Sequence, residues 1–390
     1  MPACLALVVL FSSALPRPIG AREVEGLDFK YMYYWDRNGV RNHTPAILFL
    51  KKLSLPWSLR WQQEVDMVSG ASRRLGLRLI GRQGDRPLDL DGVSGASRRE
   101  IRHSEKATMA YAKDGRAASG SFYFSDENDY TSYSPSLGGT WDFHDRNTTV
   151  GADVALFIDE MRPRGSFAGL GGDRKITSAT VTFSQILTRR SLAGLTVNGI
   201  YSAGYLGHPY NPVALADGSL ILENLPDDKS SLAVTGQITQ GYTLGGRLGS
   251  VRLEARYYRD TWKLASGTAD LQLYQYFTES GYFRLRARGY AQEAAAFAKD
   301  TYAGDEVYRT ADIRYYGFSS LTLGLKLGSA FAGSWGESAL LPDRWDISYD
   351  HGMRDTRGEE GTASFHHYQL FPQDQYYLQG TLMLGLSFDL

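Results

Sequence analysis

Apolar and polar side chains alternate along many segments of 8 to 14 residues. A period of two places one set of side chains on each face of a β-strand. The clearest segment is 377–390, where Leu382, Leu384 and Leu386 share one face while Gln379 and Thr381 share the other. Comparable apolar rows occur along the chain: Leu27, Phe29, Tyr31, Tyr33 and Trp35; Trp57, Leu59 and Trp61; Val251, Leu253, Ala255 and Tyr257; Leu271, Leu273 and Phe277; Leu321, Leu323, Leu325 and Leu327. The pattern predicts an all-β protein.

A soluble β-sandwich has the same period, so other features must decide the architecture. Aromatic residues near the strand ends suit the two interfaces of a membrane. The sequence has no apolar run of the ~18 residues that a transmembrane helix requires. The last apolar row, which includes Phe388, resembles the C-terminal segment by which outer-membrane barrels are recognised for assembly. These features favour a single antiparallel transmembrane β-barrel.

The lengths of the connections provide an independent criterion, because outer-membrane barrels have short periplasmic turns and longer extracellular loops. Short turns are predicted at 144–147, 188–191, 244–247, 278–281 and 317–320, and longer links at 159–173, 207–230, 260–266, 293–306 and 332–343. Extending this rhythm to both ends requires a turn near 54–56 and a further strand near 362–370. The prediction is about 18 strands, with 16 as the alternative, because element boundaries predicted from sequence err by a few residues.

The N-terminal segment differs from the rest of the chain. Residues 4–15 are largely apolar, and a run of this length is too short to span a bilayer as a helix. We predict a cleaved signal peptide at 1–21, followed by the barrel at 22–390, with a buried N-terminal helix as the alternative.

Residues 68–104 form a long link that is rich in Gly and Arg, and the motif Val-Ser-Gly-Ala-Ser-Arg-Arg occurs in it at 68–74 and again at 93–99. A long loop of a wide barrel can fold inward as a plug. The alternative is a solvated loop that carries a small duplication.

Composition excludes several functional classes. The 42 basic and 43 acidic side chains give a net charge of -1, so the chain lacks the broad basic surface that nucleic acid binding needs. The single cysteine, Cys4, lies in the predicted signal peptide, which leaves the mature chain without a thiolate metal site or a cysteine nucleophile. We therefore predict no nucleic acid partner, no cofactor and no metal.

Motifs of known catalytic sites are missing from the sequence, including phosphate-binding loops, zinc-protease helices and nucleophile elbows. No catalytic residue is predicted. A hydrolase whose Ser, His and acidic residues are dispersed over barrel strands stays open as an alternative, because such sites have no compact motif. The acidic run at 126–129 suits either a Ca²⁺ site or a solvated turn.

A group of charged residues alternates with apolar residues in the second half of the chain. Charged side chains on a lipid-facing surface cost ~2–4 kcal/mol near the bilayer midplane, so they are expected to point into the lumen. The predicted lumen-lining residues are Arg252, Glu254, Arg256, Asp270, Arg284, Arg286, Arg288, Asp312 and Arg314. The arginines either attract anions, as rings of Arg or Lys do in anion pores, or form an internal salt-bridge network with the acids.

Several motifs resemble the bacterial outer-membrane proteins grouped as domain of unknown function thirty-five-seventy. They lie at 65–72 (VDMVSGAS), 129–130 (DY), 142–143 (DF), 146–149 (RNTT), 204–210 (GYLGHPY), 257–262 (YYRDTW) and 286–297. The second VSGAS copy departs from the family pattern. The resemblance implies a barrel in the Gram-negative outer membrane. It also implies a genomic setting beside a thioredoxin-like protein and a flavin-attaching transferase, and hence envelope redox proteins as candidate partners.

The function predicted from the sequence is an outer-membrane pore for a small polar or anionic solute. The first alternative is a non-conducting barrel that anchors an envelope redox or assembly system, and the second is a barrel hydrolase. The expected partners are membrane lipid, the outer-membrane assembly machinery and envelope redox proteins.

Overall fold

The structure is a computed structural model that describes residues 25–37, 40–69, 78–83, 86–91, 99–164, 167–217, 219–331, 342–355 and 376–389. The predicted signal peptide at 1–21 and the predicted strand near 362–370 lie outside these residues. The two copies of the repeated motif lie largely outside them as well.

Sixteen strands close into one antiparallel barrel. They are β1 (Gly26–Asp36), β2 (Arg41–Ser54), β3 (Trp57–Ser69), β6 (Arg99–Lys113), β7 (Arg116–Asp126), β8 (Tyr130–Phe143), β9 (Thr148–Met161), β10 (Asp173–Thr188), β11 (Ser191–Gly204), β14 (Asp228–Leu244), β15 (Arg247–Asp260), β16 (Ala265–Tyr276), β17 (Tyr282–Gln292), β18 (Phe318–Ala330), β19 (Arg344–Asp355) and β20 (Tyr376–Asp389). Two hairpins lie in the connections: β4 (Arg78–Gln83) with β5 (Arg86–Asp91), and β12 (Pro212–Ala214) with β13 (Leu220–Leu222).

Pairing of the first strand with the last closes the barrel. In this pairing Tyr31 lies opposite Leu384, and every other neighbouring pair is also antiparallel. Closure satisfies the backbone hydrogen bonds without leaving a sheet edge, which a barrel in lipid requires. The predicted all-β antiparallel barrel is confirmed, and so is the turn near 54–56, where Leu55 and Pro56 separate β2 from β3.

None of the helices in the described ranges is long and apolar enough to cross a membrane.

Short connections collect at one end of the barrel, here called the turn end, and long ones at the other, called the loop end. Four of the five predicted short turns, 144–147, 188–191, 244–247 and 278–281, separate paired strands at the turn end. The antiparallel order also places the connection from β18 to β19 at the turn end. The assignment of 332–343 to the set of long extracellular links was therefore wrong.

The barrel has 16 strands, which is the alternative to the predicted 18, and one predicted strand within the described residues is absent. Residues 307–316 belong to a single loop-end connection, 293–317, and contain only a 3-10 helix at Ile313–Tyr315. The backbone of Arg309 exchanges hydrogen bonds of 2.9 and 3.1 Å with Asn224, and its Nε donates to the Leu222 carbonyl at 2.9 Å. This segment bonds to the β12–β13 region and not to a neighbouring barrel strand, so the predicted turn at 317–320 was wrong too.

Loop-end connections pack together into a small structure with its own apolar core, here called the cap. It comprises residues 205–227, 261–264 and 293–317, with 167–172 packed against them. Three buried clusters hold it together: Leu170 with Leu220; Leu225, Trp262, Leu264 and Ala295; and Val213, Tyr302 and Ala311. Tyr302, which is 2% exposed, donates to the carbonyl oxygens of Phe297 (2.9 Å) and Thr310 (3.1 Å). The cap is thus packed like the interior of a soluble domain.

The link predicted at 68–104 contains the β4–β5 hairpin. Val68 and Ser69 end β3, and residues 99–104 begin β6, so the connection between barrel strands is 70–98. β4 lies beside β13, so this hairpin meets the cap at the loop end. Its possible role as a plug stays a prediction.

Candidate functional site: the inner face of strands β15–β19

Alternation along β15, β16 and β17 defines an inner and an outer face of the barrel. Leu253, Leu271 and Leu285 are about half exposed and form part of the apolar outer face. The residues between them therefore point inward. The inward set contains seven of the nine residues predicted to line the lumen: Arg252, Glu254, Arg256, Asp270, Arg284, Arg286 and Arg288.

Two of the nine residues were predicted to lie on strands and do not. Asp312 and Arg314 belong to the cap, where Asp312 precedes the 3-10 helix and accepts a hydrogen bond from the Arg314 backbone N–H at 2.9 Å. The Arg314 Nε donates to Asp312 Oδ2 at 2.7 Å. Burial raises the pKa of Asp312 but Arg314 outweighs it, so the pKa of Asp312 lies below its usual value.

Most of the cations on this inner face are ion-paired. Asp270, which is 4% exposed, accepts from Arg286 Nε at 2.8 Å. Arg252 Nη2 lies 2.7 Å from Glu254 Oε2, and Arg284 Nη2 lies 3.3 Å from Asp350 Oδ1. The salt-bridge network that the sequence left open therefore exists for these residues.

A glycine permits a further ion pair, between Arg286 and Asp350, to form across an intervening strand. Gly324 of β18 lies between Arg286 of β17 and Asp350 of β19, and Arg286 Nη1 lies 3.5 Å from Asp350 Oδ2 above it. A Cβ at position 324 would overlap Asp350 Oδ1. Strands two apart are separated by ~9.6 Å, so only long side chains that pass over a small residue can meet.

Arg256 and Arg288 differ from their neighbours, because neither has a carboxylate partner within the described residues. Asp270 lies opposite Arg288, but its two oxygens accept from Arg286 and from Gln272 Nε2 at 3.0 Å. Arg256 lies over the Tyr258 ring at 5.9 Å from its centroid. The two arginines are diagonal neighbours across β16, with Cα atoms roughly 12 Å apart by ideal strand spacing.

Strands β7–β11 present a different inner surface, dominated by hydroxyl groups. The outward residues of these strands include Phe122, Leu137 and Val181, which are strongly exposed. The inward residues include Ser121, Ser134, Ser136, Thr180, Thr182 and Thr196. Asn198 Nδ2 donates to Ser178 Oγ at 3.1 Å and to Thr180 Oγ1 at 2.9 Å, which joins β10 to β11 on this face. This surface, the hydroxyl wall, is polar with few charges.

Sequence reasoning missed several charged inward residues. Lys326 Nζ lies 2.8 Å from Asp346 Oδ1, and Arg174 Nε donates to Asp159 Oδ2 at 2.8 Å. Asp350, which joins Arg284 to Arg286, was missed as well. Lys326 and Asp346 lie between outward apolar residues, so the same periodicity could have found them, whereas Arg174 lies between Asp173 and Lys175 and has no such signal.

A carboxyl group in the cap joins two of its loops. Glu223 Oε2 accepts from the His208 backbone N–H at 2.8 Å, and its Oε1 accepts from the Thr310 hydroxyl. Burial, with a contribution from Asp312, raises the pKa of Glu223 to about 8. Burial also lowers the pKa of His208, so that imidazole is neutral near pH 7.

The acidic run at 126–129 is used in ordinary polar contacts. Asp126 Oδ1 accepts from Thr131 Oγ1 at 2.9 Å, and Asp129 accepts from the Tyr210 hydroxyl. Among the described residues, no group of three or more His, Cys, Asp or Glu side chains is arranged to hold a metal ion. The adjacent pair His366 and His367, which on a strand would point to opposite faces and is not expected to chelate one metal ion, lies outside the described residues.

Solved structures with the same general fold are outer-membrane proteins. A bacterial polysaccharide outer membrane secretin is 9% identical over 93% of this chain and 98% of that chain, with a TM-score of 0.48. CdiB from Acinetobacter baumannii is 8% identical over 93% of this chain and 60% of that chain, with a TM-score of 0.51. OccK2 (OpdF) from Pseudomonas aeruginosa is 8% identical over 94% and 97%, with a TM-score of 0.41. At these identities the likeness concerns the fold alone.

A closed antiparallel barrel with an apolar outer face and a charged, hydroxyl-rich inner face is an integral protein of the Gram-negative outer membrane. The chain belongs to the family described as protein of unknown function DUF3570, whose model matches residues 3–375. The predicted family and location are confirmed. A search of curated proteins gave no match.

Proposed function

We propose that the protein is an outer-membrane pore that admits small anionic solutes along the inner face of β15–β17. The observation that carries the proposal is the pair Arg256 and Arg288, which are inward cations without a carboxylate partner in the described residues. Their neighbours are neutralised by ion pairs. The unbalanced positive charge of this face is thus concentrated at two positions that lie diagonally across β16.

Arginines that are already paired add little net field, whereas an unpaired guanidinium raises the local concentration of anions. Arg256 and Arg288 lie close enough along the strands for one solute to pass from the first to the second. The hydroxyl wall of β7–β11 supplies polar groups to a hydrated solute, and two of its charged residues, Asp159 and Arg174, are paired with each other.

Planar-bilayer recordings of the purified protein in a KCl gradient test this proposal. The wild type is expected to show an anion-selective reversal potential, and the double variant Arg256→Gln/Arg288→Gln is expected to lose most of that selectivity. Arg259→Gln is the matched control, because Arg259 lies on β15 but on its outer face. It removes one positive charge from the strand that carries Arg256 but leaves the inner face unchanged, and we expect an unchanged reversal potential.

Two outcomes would contradict the proposal. An open channel with the same reversal potential in the wild type and the double variant would show that these arginines do not select. An absence of current from the folded wild type would favour the alternative, a non-conducting barrel that anchors an envelope assembly. Assays of lipid and peptide turnover on the same preparation would detect a barrel hydrolase.

A further inference from the structure

A cleft of about 580 Å³ lies at the turn end, between the β8–β9 turn and the β10–β11 turn. Immediately above it Trp141 and Phe143 project from the outer face, with 43% and 49% of their surface exposed. Aromatic residues in this position mark the interface between the lipid chains and the headgroups. The turn-end cleft therefore lies at the level of the lipid headgroups of the periplasmic leaflet.

Hydrogen bonds between the two turns hold the cleft in shape. The Thr148 hydroxyl donates to Gln185 Oε1 at 2.7 Å, and His144 Nδ1 lies 3.2 Å from Thr148 Oγ1. The backbone N–H of Ile186 donates to the Asn147 carbonyl at 2.8 Å. Because the Thr148 proton goes to Gln185, His144 Nδ1 is the donor in its contact with Thr148 Oγ1, and this contact fixes the orientation of the ring.

Arg189 brings a positive charge to the cleft. It lines the cleft, is exposed, and makes no ion pair within the described part of the chain. Its turn is fixed by the contact of Thr188 Oγ1 with Ser191 Oγ at 2.8 Å and by a hydrogen bond from the Arg190 N–H to Thr188 Oγ1 at 3.1 Å. The turn thus presents its arginines from a defined backbone.

Charge and apolar surface occur together here. Arg189 lines the cleft, Arg146 and Arg190 belong to the two turns that flank it, and Asp145 is the acid in the same turn as Arg146. Leu187, which also lines the cleft, is 54% exposed. A cationic group beside an exposed apolar side chain complements an amphipathic anion.

We propose that the turn-end cleft binds an anionic glycerophospholipid of the periplasmic leaflet. Its phosphate accepts hydrogen bonds from the Arg189 guanidinium, and the first carbons of an acyl chain contact Leu187. Basic pockets at the membrane surface bind such headgroups, and hydrogen bonds from a guanidinium to a phosphate are charge-assisted and therefore strong. This site is independent of solute passage through the lumen.

Native mass spectrometry of the detergent-solubilised protein, titrated with phosphatidylglycerol or phosphatidylcholine, tests the proposal. The wild type is expected to retain phosphatidylglycerol in preference to phosphatidylcholine. Arg189→Gln is expected to weaken phosphatidylglycerol binding roughly tenfold, as the loss of one charge-assisted hydrogen bond implies. Arg247→Gln is the matched control, because Arg247 is an exposed arginine at the β14–β15 turn that does not line the cleft.

Three results would overturn the proposal. Equal binding of phosphatidylglycerol by the wild type and Arg189→Gln would exclude the site, and equal weakening by Arg189→Gln and Arg247→Gln would show a general charge effect. Full displacement of the lipid by millimolar inorganic phosphate would show a site for free anions. Electrophoretic migration before and after heating verifies that each variant is folded.

Discussion

The cap and the barrel wall are built from the same chain but place their apolar residues in opposite positions. In the cap, Val213 and Tyr302 are buried at 1% and 2% exposure. In the wall, Leu271 is 48% exposed on the outer face while its neighbour Asp270 is 4% exposed on the inner face. Lipid takes the place of a hydrophobic core for the wall, whereas the cap lies in water and must build its own.

Two buried carboxyl groups, Asp270 of the wall and Glu223 of the cap, differ in what holds them, whereas Asp312 of the cap is paired with Arg314 in the way that Asp270 is paired with Arg286. On the wall, Asp270 is held by a guanidinium, that of Arg286. In the cap, Glu223 is held by the Thr310 hydroxyl and the His208 N–H, and burial raises its pKa to about 8. A packed apolar surrounding favours the neutral form of a carboxyl, whereas a nearby cation favours the charged form.

The largest effect is expected for Tyr302→Ala, which removes the ring at the centre of the cap. Truncating a buried aromatic side chain costs about 3–5 kcal/mol. This loss should fall on the cap alone, so hydrogen exchange should accelerate in 205–227 and 293–317 while the barrel strands stay protected. Tyr302→Phe keeps the ring and is the control for the lost hydrogen bonds. Equal acceleration in the strands would show that the cap and the wall unfold as one unit.

An arginine on the outer face should destabilise the wall more than the same residue one position away on the inner face. Val197→Arg places a charge in lipid, at a cost of ~2–4 kcal/mol near the midplane. Thr196→Arg places it on the inner face, where its register partners Thr182 and Thr235 are uncharged and the cost should be within about 1 kcal/mol. Urea unfolding in lipid vesicles measures both free energies. Similar losses for the two variants would contradict the assignment of faces.

The smallest effect concerns the pH dependence of the cap. The pKa of Glu223 is raised in the folded state, so its favourable contribution is complete below the unfolded value of about 4.3. That contribution declines as the pH rises and is lost once the pH passes about 8. We expect the free energy of opening that protects the amides of 205–227 from hydrogen exchange to fall from pH 6 to pH 9. The expected decrease is on the order of 1 kcal/mol after solvent screening.

Glu223→Gln is the control for this pH effect, since its amide does not ionise. The variant should show little change in cap stability over the same pH range after correction for intrinsic exchange. An equal pH dependence in the variant and the wild type would assign the effect to another group.

Alternation was sufficient to predict much of the wall. The segments that carry Leu27, Leu253 and Leu271 are all barrel strands, and seven of the nine predicted lumen-lining residues lie on the inner face. The prediction failed at 307–316. There a segment that suggested a strand has its hydrogen bonds with the cap, through the pairing of Arg309 with Asn224.

The sequence by itself determined the class of protein and the face on which each strand residue lies, because a period of two is a local property of the backbone. Tertiary structure decided which charges are neutralised. Arg286 meets Asp350 only because the register places Gly324 between them, and Arg288 is left unpaired because Arg286 and Gln272 occupy the oxygens of Asp270. Contacts of this kind join residues far apart in the chain, so they depend on strand register and on the size of intervening side chains.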